Sequence, residues 1–279
     1  MVKCLISLKI IILCLRIDTV EVYSSRDTYL SGPYIIYIIM PVSFSTHCLS
    51  SLTLDEALVQ LAPHTSNVEV MNDGRHYIED AETLLSHSFT YSIHAPARSV
   101  NIASVLEPIR RASTEIICDS IELAVSADAK TVVFHPGYYA FTEEYDKAVS
   151  SLKKSLEVIS EYAEDAGVAC CVENMGNWGY FFLKDTADVP LIGDNPFCLD
   201  IGHANECATL EAFLDVPFMH IHVHDNDGKS DAHAALGEGN IDAASVAEAI
   251  KRFGVECPVI ECATLEASLA SAKVLEELL

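Results

Sequence analysis

The chain has 279 residues, of which 50% are hydrophobic; this is enough for one large core and close to the roughly 250 that a single α/β barrel uses. Charged residues at 21%, with Gly and Pro scattered rather than clustered, exclude a disordered chain. With 41 Asp and Glu against 17 Lys and Arg, the formal net charge is −24, which repels phosphate backbones and sets nucleic acid low among expected partners.

Residues 1–39 differ in character from the rest of the chain. Val2 to Ile17 is apolar but interrupted by Lys3, Lys9 and Arg16, and a second apolar run covers Tyr34 to Met40. Both are shorter than the ~18–20 residues of a membrane span, and no small-x-small cleavage site comes after the first. The expected reading is a non-native extension, as from an upstream start codon, with a single domain over 40–279 and no membrane segment. The 10 cysteines form no C-x-x-C pair, and several lie in apolar runs. They read as free thiols in a reducing, cytoplasmic setting.

From Met40 onward, short β-branched runs alternate with longer amphipathic stretches. The runs are Val42–Ser45, Asn67–Met71, Thr90–His94, Thr131–His135, Val168–Glu173, Phe197–Asp200, Phe218–His224 and Pro258–Glu261. Thr53-Leu-Asp-Glu56 is a capping-box signature that opens the first helix. Glu107–Ala127 spaces Ile109, Ile116, Ile117, Ile121 and Leu123 close to the helical period, and Glu143–Ala166 does the same with Val149, Leu152, Leu156 and Ile159. Thr264–Leu279 closes the chain as a last helix. Eight strand–helix units in order predict a closed parallel (β/α)8 TIM barrel in one domain.

Ionisable side chains fall at the ends of the predicted strands. Strand three ends in Ser92-Ile-His-Ala-Pro96, strand four in Val133-Phe-His-Pro-Gly137 and strand five in Val172-Glu-Asn174. Strand six gives Leu199-Asp-Ile-Gly-His203, strand seven His220-Ile-His-Val-His-Asp225, and strand eight Val259-Ile-Glu-Cys262. A lone His or Glu at a strand end is more often a hydrogen-bonded structural residue than a ligand. Repetition at six consecutive strand ends is different, because that face of a barrel holds the active site and unpartnered buried acids are costly. A divalent metal is the simplest explanation. His220, His222 and His224 share a strand face, and spacing does not choose between them. His64, His76 and His87 read as surface residues.

On these motifs the chain from about Met40 resembles the xylose isomerase-like TIM-barrel superfamily, which also contains endonuclease IV. The resemblance rests on His94-Ala-Pro, His135-Pro-Gly, Glu173-Asn, Asp200-Ile-Gly-His203, His222-Val-His-Asp225, Asp231-Ala-His233 with Gly237-Glu-Gly, and Glu261. In the sugar isomerases and epimerases of that superfamily, it implies one divalent metal on Glu173, Asp200, His222 and Glu261, with Glu173 and Glu261 doubling as the acid/base pair. In endonuclease IV it implies three zinc ions on those four together with His94, His135, His203, Asp231 and His233.

Two features tilt the expectation toward a small sugar or sugar phosphate. The loop after His94, Ala-Pro-Ala-Arg, carries no aromatic to probe DNA, and basic residues near the mouth are few. Expected substrate contacts are His203, Lys229 and Arg98. Expected cofactors are one to three divalent ions, Zn2+ or Mn2+/Mg2+; a homo-oligomer is compatible with this reading. An endonuclease IV-like phosphodiesterase on abasic DNA is the alternative.

Overall fold

The computed structural model describes residues 41–279; the expected extension at 1–39 and its boundary at Met40 lie outside the described residues. Eight strands form a closed barrel in chain order, every neighbouring pair parallel. They are β1 (Ser43–Ser45), β2 (Asn67–Met71), β3 (Thr90–His94), β4 (Thr131–Phe134), β5 (Ala169–Glu173), β6 (Phe197–Asp200), β7 (His220–Val223) and β8 (Val259–Ile260). β2, β3 and β6 match the expected bounds, while β1 and β5 start one residue late. β7 and β8 also start late, and β4, β7 and β8 stop one residue short of His135, His224 and Glu261, which keep the strand's alternation.

Both faces of these strands are buried, and their period of two divides the side chains. Val68, Val70, Tyr91, Ile93, Val132, Phe134, Cys170, Val172, Leu199, Ile221, Val223 and Ile260 join the main apolar core with the helices. The opposite parity gives a small inner cluster of Val133, Cys171 and Cys198. That parity also carries Glu69, His94, Glu173, Asp200, His220 and His222, all buried. All cysteines of the described residues are free.

The main helices are α1 (Leu54–Leu61), α2 (Glu82–Leu85), α3 (Glu107–Ser126), α4 (Tyr145–Ala166), α5 (Ile201–Glu206), α6 (Leu210–Phe213), α7 (Ala243–Phe253) and α8 (Leu265–Leu278). The capping box at Thr53 and Glu56 is formed. Gly167 ends α4 at φ 68°, a left-handed turn that glycine adopts without strain. α3 departs from expectation: Ile109 is 48% exposed. Its inner face uses Ile117, Ile121 and Leu123 as expected, together with Arg110 and Thr114, which meet Ser155 of α4 at 3.0 and 3.1 Å. His76, expected at the surface, is buried, with Nδ1 3.1 Å from Thr46 Oγ1. No helix among the described residues is long and apolar enough to cross a membrane.

Candidate metal centre

Glu173 ends β5 at the middle of the inner face, 1% exposed. Its Oε2 lies 3.2 Å from His94 Nε2 and 3.0 Å from His135 Nε2, the two rings at 90° to each other. Its Oε1 lies 2.9 Å from His222 Nδ1. That same Nδ1 is 3.2 Å from Glu261 Oε2 and 3.8 Å from Asp200 Oδ2. A second group adjoins the first. Asp231 Oδ2 lies 3.3 Å from His203 Nε2 and 3.2 Å from His233 Nε2. His203 joins the two groups, its Nδ1 3.7 Å from both Glu173 Oε1 and Asp200 Oδ1. All the residues expected as metal ligands are therefore brought together in one place.

Hydrogen bonds to the backbone orient the rings. A carbonyl oxygen only accepts, so a ring nitrogen bonded to one carries the proton. His94 Nδ1 donates to Ala95 O at 2.8 Å, His203 Nδ1 to Asn174 O at 3.0 Å, and His233 Nδ1 to Glu261 O at 2.6 Å. Each neutral ring then turns the Nε2 lone pair toward a carboxylate oxygen. Lone pair against anion is repulsive, so the site needs positive charge: a second proton on each ring, or a cation among them. Without a cation, burial works against a charged His94, but the adjoining Glu173 outweighs it and pushes the imidazole up to about 9. Burial likewise opposes the charge on Glu173, yet His222, His135 and His94 hold its carboxyl well below the usual range.

Neutral imidazoles and ionised carboxylates are the donor states a divalent ion takes, so the residues fit one. Ligand atoms of Glu173, Asp200, His222 and Glu261 all lie within 4.8 Å of one another.

The loops are shaped to present these groups. Asp200 caps α5 by accepting the His203 N–H at 2.7 Å, which fixes the spacing of Asp-x-x-His. A Cβ at Gly202 would run into the His224 ring, which explains a glycine there. Asp225 is not a ligand. Its carboxylate accepts from the N–H groups of Asn226, Gly237, Gly239 and Ile241 at 2.8–3.1 Å. It thereby folds the loop that carries Asp231 and His233. His233 sits at φ 45°, a left-handed conformation that costs a non-glycine residue about 1–3 kcal/mol and aims its ring at Asp231.

Two expected substrate contacts stay outside the cluster. Lys229 is paired with Asp227 at 2.6 Å and its side chain is 79% exposed. Arg98 is exposed, and its backbone N–H bonds Asp73 at 3.0 Å. His203 has both ring nitrogens engaged within the cluster, which leaves none for a substrate hydroxyl.

Two residues of the site, Glu69 and His47, are not apparent from motif spacing, and His224, which spacing leaves level with His220 and His222, also belongs to it. Buried Glu69 lies beneath His222. His224 Nε2 sits 3.1 Å from both Asp200 oxygens. The His47 ring lies 4.6 Å from that of His233, tilted by 32°. The cluster opens toward solvent at His135, whose side chain is 21% exposed. Trp178, 40% exposed, has its ring 6.2 Å from that of His203.

A family model described as xylose isomerase-like TIM barrel matches residues 58–278. The chain belongs to the xylose isomerase-like TIM barrel family. Among the relatives of this xylose isomerase-like barrel is the uncharacterized protein MJ1614 of Methanocaldococcus jannaschii, 36% identical over 63% of this chain and 70% of that protein. A probable endonuclease 4 of Mycobacterium leprae is 27% identical over 67% of this chain and 77% of its own length. Among solved structures, a D-tagatose 3-epimerase-like protein aligns at a TM-score of 0.78 and 27% identity, covering 86% of this chain and 97% of its own.

Proposed function

We propose that this barrel is a divalent-metal-dependent hydrolase of small phosphate esters, built on a centre in which Glu173 serves two metal positions. The observation that carries the reading is the division of the Glu173 carboxylate: Oε2 faces His94 and His135, while Oε1 faces His222. His94, His135 and Glu173 would hold one ion; Glu173, Asp200, His222 and Glu261 a second; and His203, Asp231 and His233 a third, as the resemblance to endonuclease IV implies. The His-rich sets suit zinc. Such ions, when bound, supply Lewis-acid stabilisation of negative charge developing on a phosphoryl group.

The protein's own residues do the rest. His94, His203 and His233 are held ready by their backbone carbonyls, so no ring needs to reorient. Glu261 Oε1 has its hydrogen-bond partner in Ser45 Oγ at a long 3.4 Å, and it is the carboxylate oxygen best placed to accept a proton. Trp178 offers an exposed aromatic ring beside His203 for the organic part of the substrate. The charge of −24 works against a long polyanion at a distance, whereas a small ester is governed by the local field.

A second reading is a one-metal isomerase or epimerase of a sugar or sugar phosphate, working by proton transfer at Glu173 and Glu261. The likeness to the D-tagatose 3-epimerase-like protein favours it, as does the completeness of the four-residue group, which would also suit manganese or magnesium. Hydrolysis is preferred because both Glu173 oxygens are engaged by imidazoles, leaving neither facing open space as a base for a substrate C–H. The test is paired assay of the metal-loaded protein on bis(p-nitrophenyl) phosphate, an abasic duplex and a panel of ketoses and their phosphates. Turnover of a ketose with no phosphoester cleavage would reverse the preference.

A further inference from the structure

His222 has carboxylates on both sides. Its Nδ1 faces Glu173, Glu261 and Asp200, while its Nε2 stands 2.8 Å from Glu69 Oε1. Glu69 rises from β2, fully buried beneath the metal-centre residues. Its other oxygen accepts from Ser92 Oγ and His220 Nε2, each at 2.8 Å. The Nε2–Oε1 approach is close but off the hydrogen-bond axis, and neither atom has another hydrogen-bond partner. A small ring rotation would align them.

We infer that Glu69 is a positioning residue that fixes the tautomer of His222, keeping the proton on Nε2 so that the Nδ1 lone pair faces the metal position. The inference rests on the metal-centre reading of the site.

The alternative tautomer fails on both sides of the ring. A proton on Nδ1 would occupy the space among three carboxylates, where a cation is expected. The Nε2 lone pair would then face the Glu69 anion at 2.8 Å, with both groups buried from solvent. With the proton on Nε2 and the ring turned slightly, the N–H would donate to Glu69 and the ring would remain a neutral ligand. Ser92 and His220 hold the carboxylate in place. Carboxylate–histidine–metal arrangements of this kind raise the basicity of the ligand, and losing the outer partner costs about 10–100-fold in metal affinity. A purely structural salt link would need both ring nitrogens protonated, which would leave no Nδ1 lone pair for a metal.

The test uses the full chain with 15N-labelled histidine, loaded with Zn2+. Long-range 1H–15N correlation spectra should show His222 protonated at Nε2 and zinc-bound at Nδ1. Chelator competition should show Glu69→Leu weakening one zinc equivalent by about 10–100-fold, while Glu69→Gln, which keeps an accepting oxygen, recovers most of that loss. A proton on His222 Nδ1 in the loaded wild type would overturn the inference, as would zinc held equally tightly by Glu69→Leu and wild type. Should Glu69→Leu fail to fold, the wild-type tautomer and the Glu69→Gln affinity decide the matter. A wild type that binds no zinc would overturn the metal reading and this inference with it; zinc bound tightly with the other tautomer would overturn the inference alone.

Discussion

His135 Nε2 and His222 Nδ1 approach opposite oxygens of one buried carboxylate, at 3.0 Å from Glu173 Oε2 and 2.9 Å from Glu173 Oε1. On the proposed reading, a carboxylate approached in this way would serve two metal positions rather than shuttle protons.

His135→Ala should remove one metal equivalent and lower phosphoester cleavage by at least the roughly 100-fold upper range for loss of an outer-shell partner. Because His135 is at the open face, the fold should survive. Metal content and initial rates measured on the same preparation check this; an unchanged rate would count against the bridged centre.

Gly202→Ala places a methyl group against the His224 ring, which lies between Gly202 and Asp200. Overpacking of this kind typically costs about 1–3 kcal/mol. Urea denaturation of the metal-free variant should show that loss, together with weaker metal binding. Wild-type stability would mean that the His224 ring is free to move.

Asp225→Ala should loosen the loop bearing Asp231 and His233, since four backbone N–H groups lose one buried anionic acceptor. Leaving them unpaired should cost at least about 2 kcal/mol. Hydrogen exchange should rise at Gly237, Gly239 and Ile241 before the rest of the barrel opens.

The stability of the metal-free protein should fall as pH rises through about 9. His94 and His233 are raised to about 9 in the fold, burial opposing the shift and Glu173 and Asp231 respectively driving it. Their unfolded value is about 6.5. A raised folded value gives stability that is complete below the unfolded pKa and lost as pH climbs through the folded one. Thiols such as Cys48 and Cys262, pushed up to about 11 by burial, act in the same direction because the unfolded chain releases their protons first. His94→Gln should flatten the part of the slope near pH 9. Zinc should show the opposite trend, binding more weakly on acidification because protons compete for the same nitrogens. Denaturant midpoints at pH 7 and pH 10, with and without metal, measure both.

Much of this is legible in the sequence because a barrel strand alternates and ends at the active face. That rule alone places His94, His135, Glu173, Asp200 and Glu261, and offers three histidines on strand seven. It cannot separate His222 from His220 and His224, since all three share one parity; the carboxylate each nitrogen meets makes the choice. Glu69 escapes it because both faces of a barrel strand are buried, so Val68-Glu69-Val70 does not say which face is the interior. The burial of His76 is hidden because its contact with Thr46 is non-local. Lys229 lies in the right loop but pairs with its neighbour Asp227, a local event that motif spacing does not record.

The measurement closest to the central claim is metal content per chain, by elemental analysis of protein dialysed against zinc and then against metal-free buffer. A bridged centre predicts more than one retained ion per chain, approaching three, with one lost in His135→Ala. A single retained ion, unaffected by His135→Ala and abolished by Glu261→Gln, would contradict it and return the site to one-metal proton transfer.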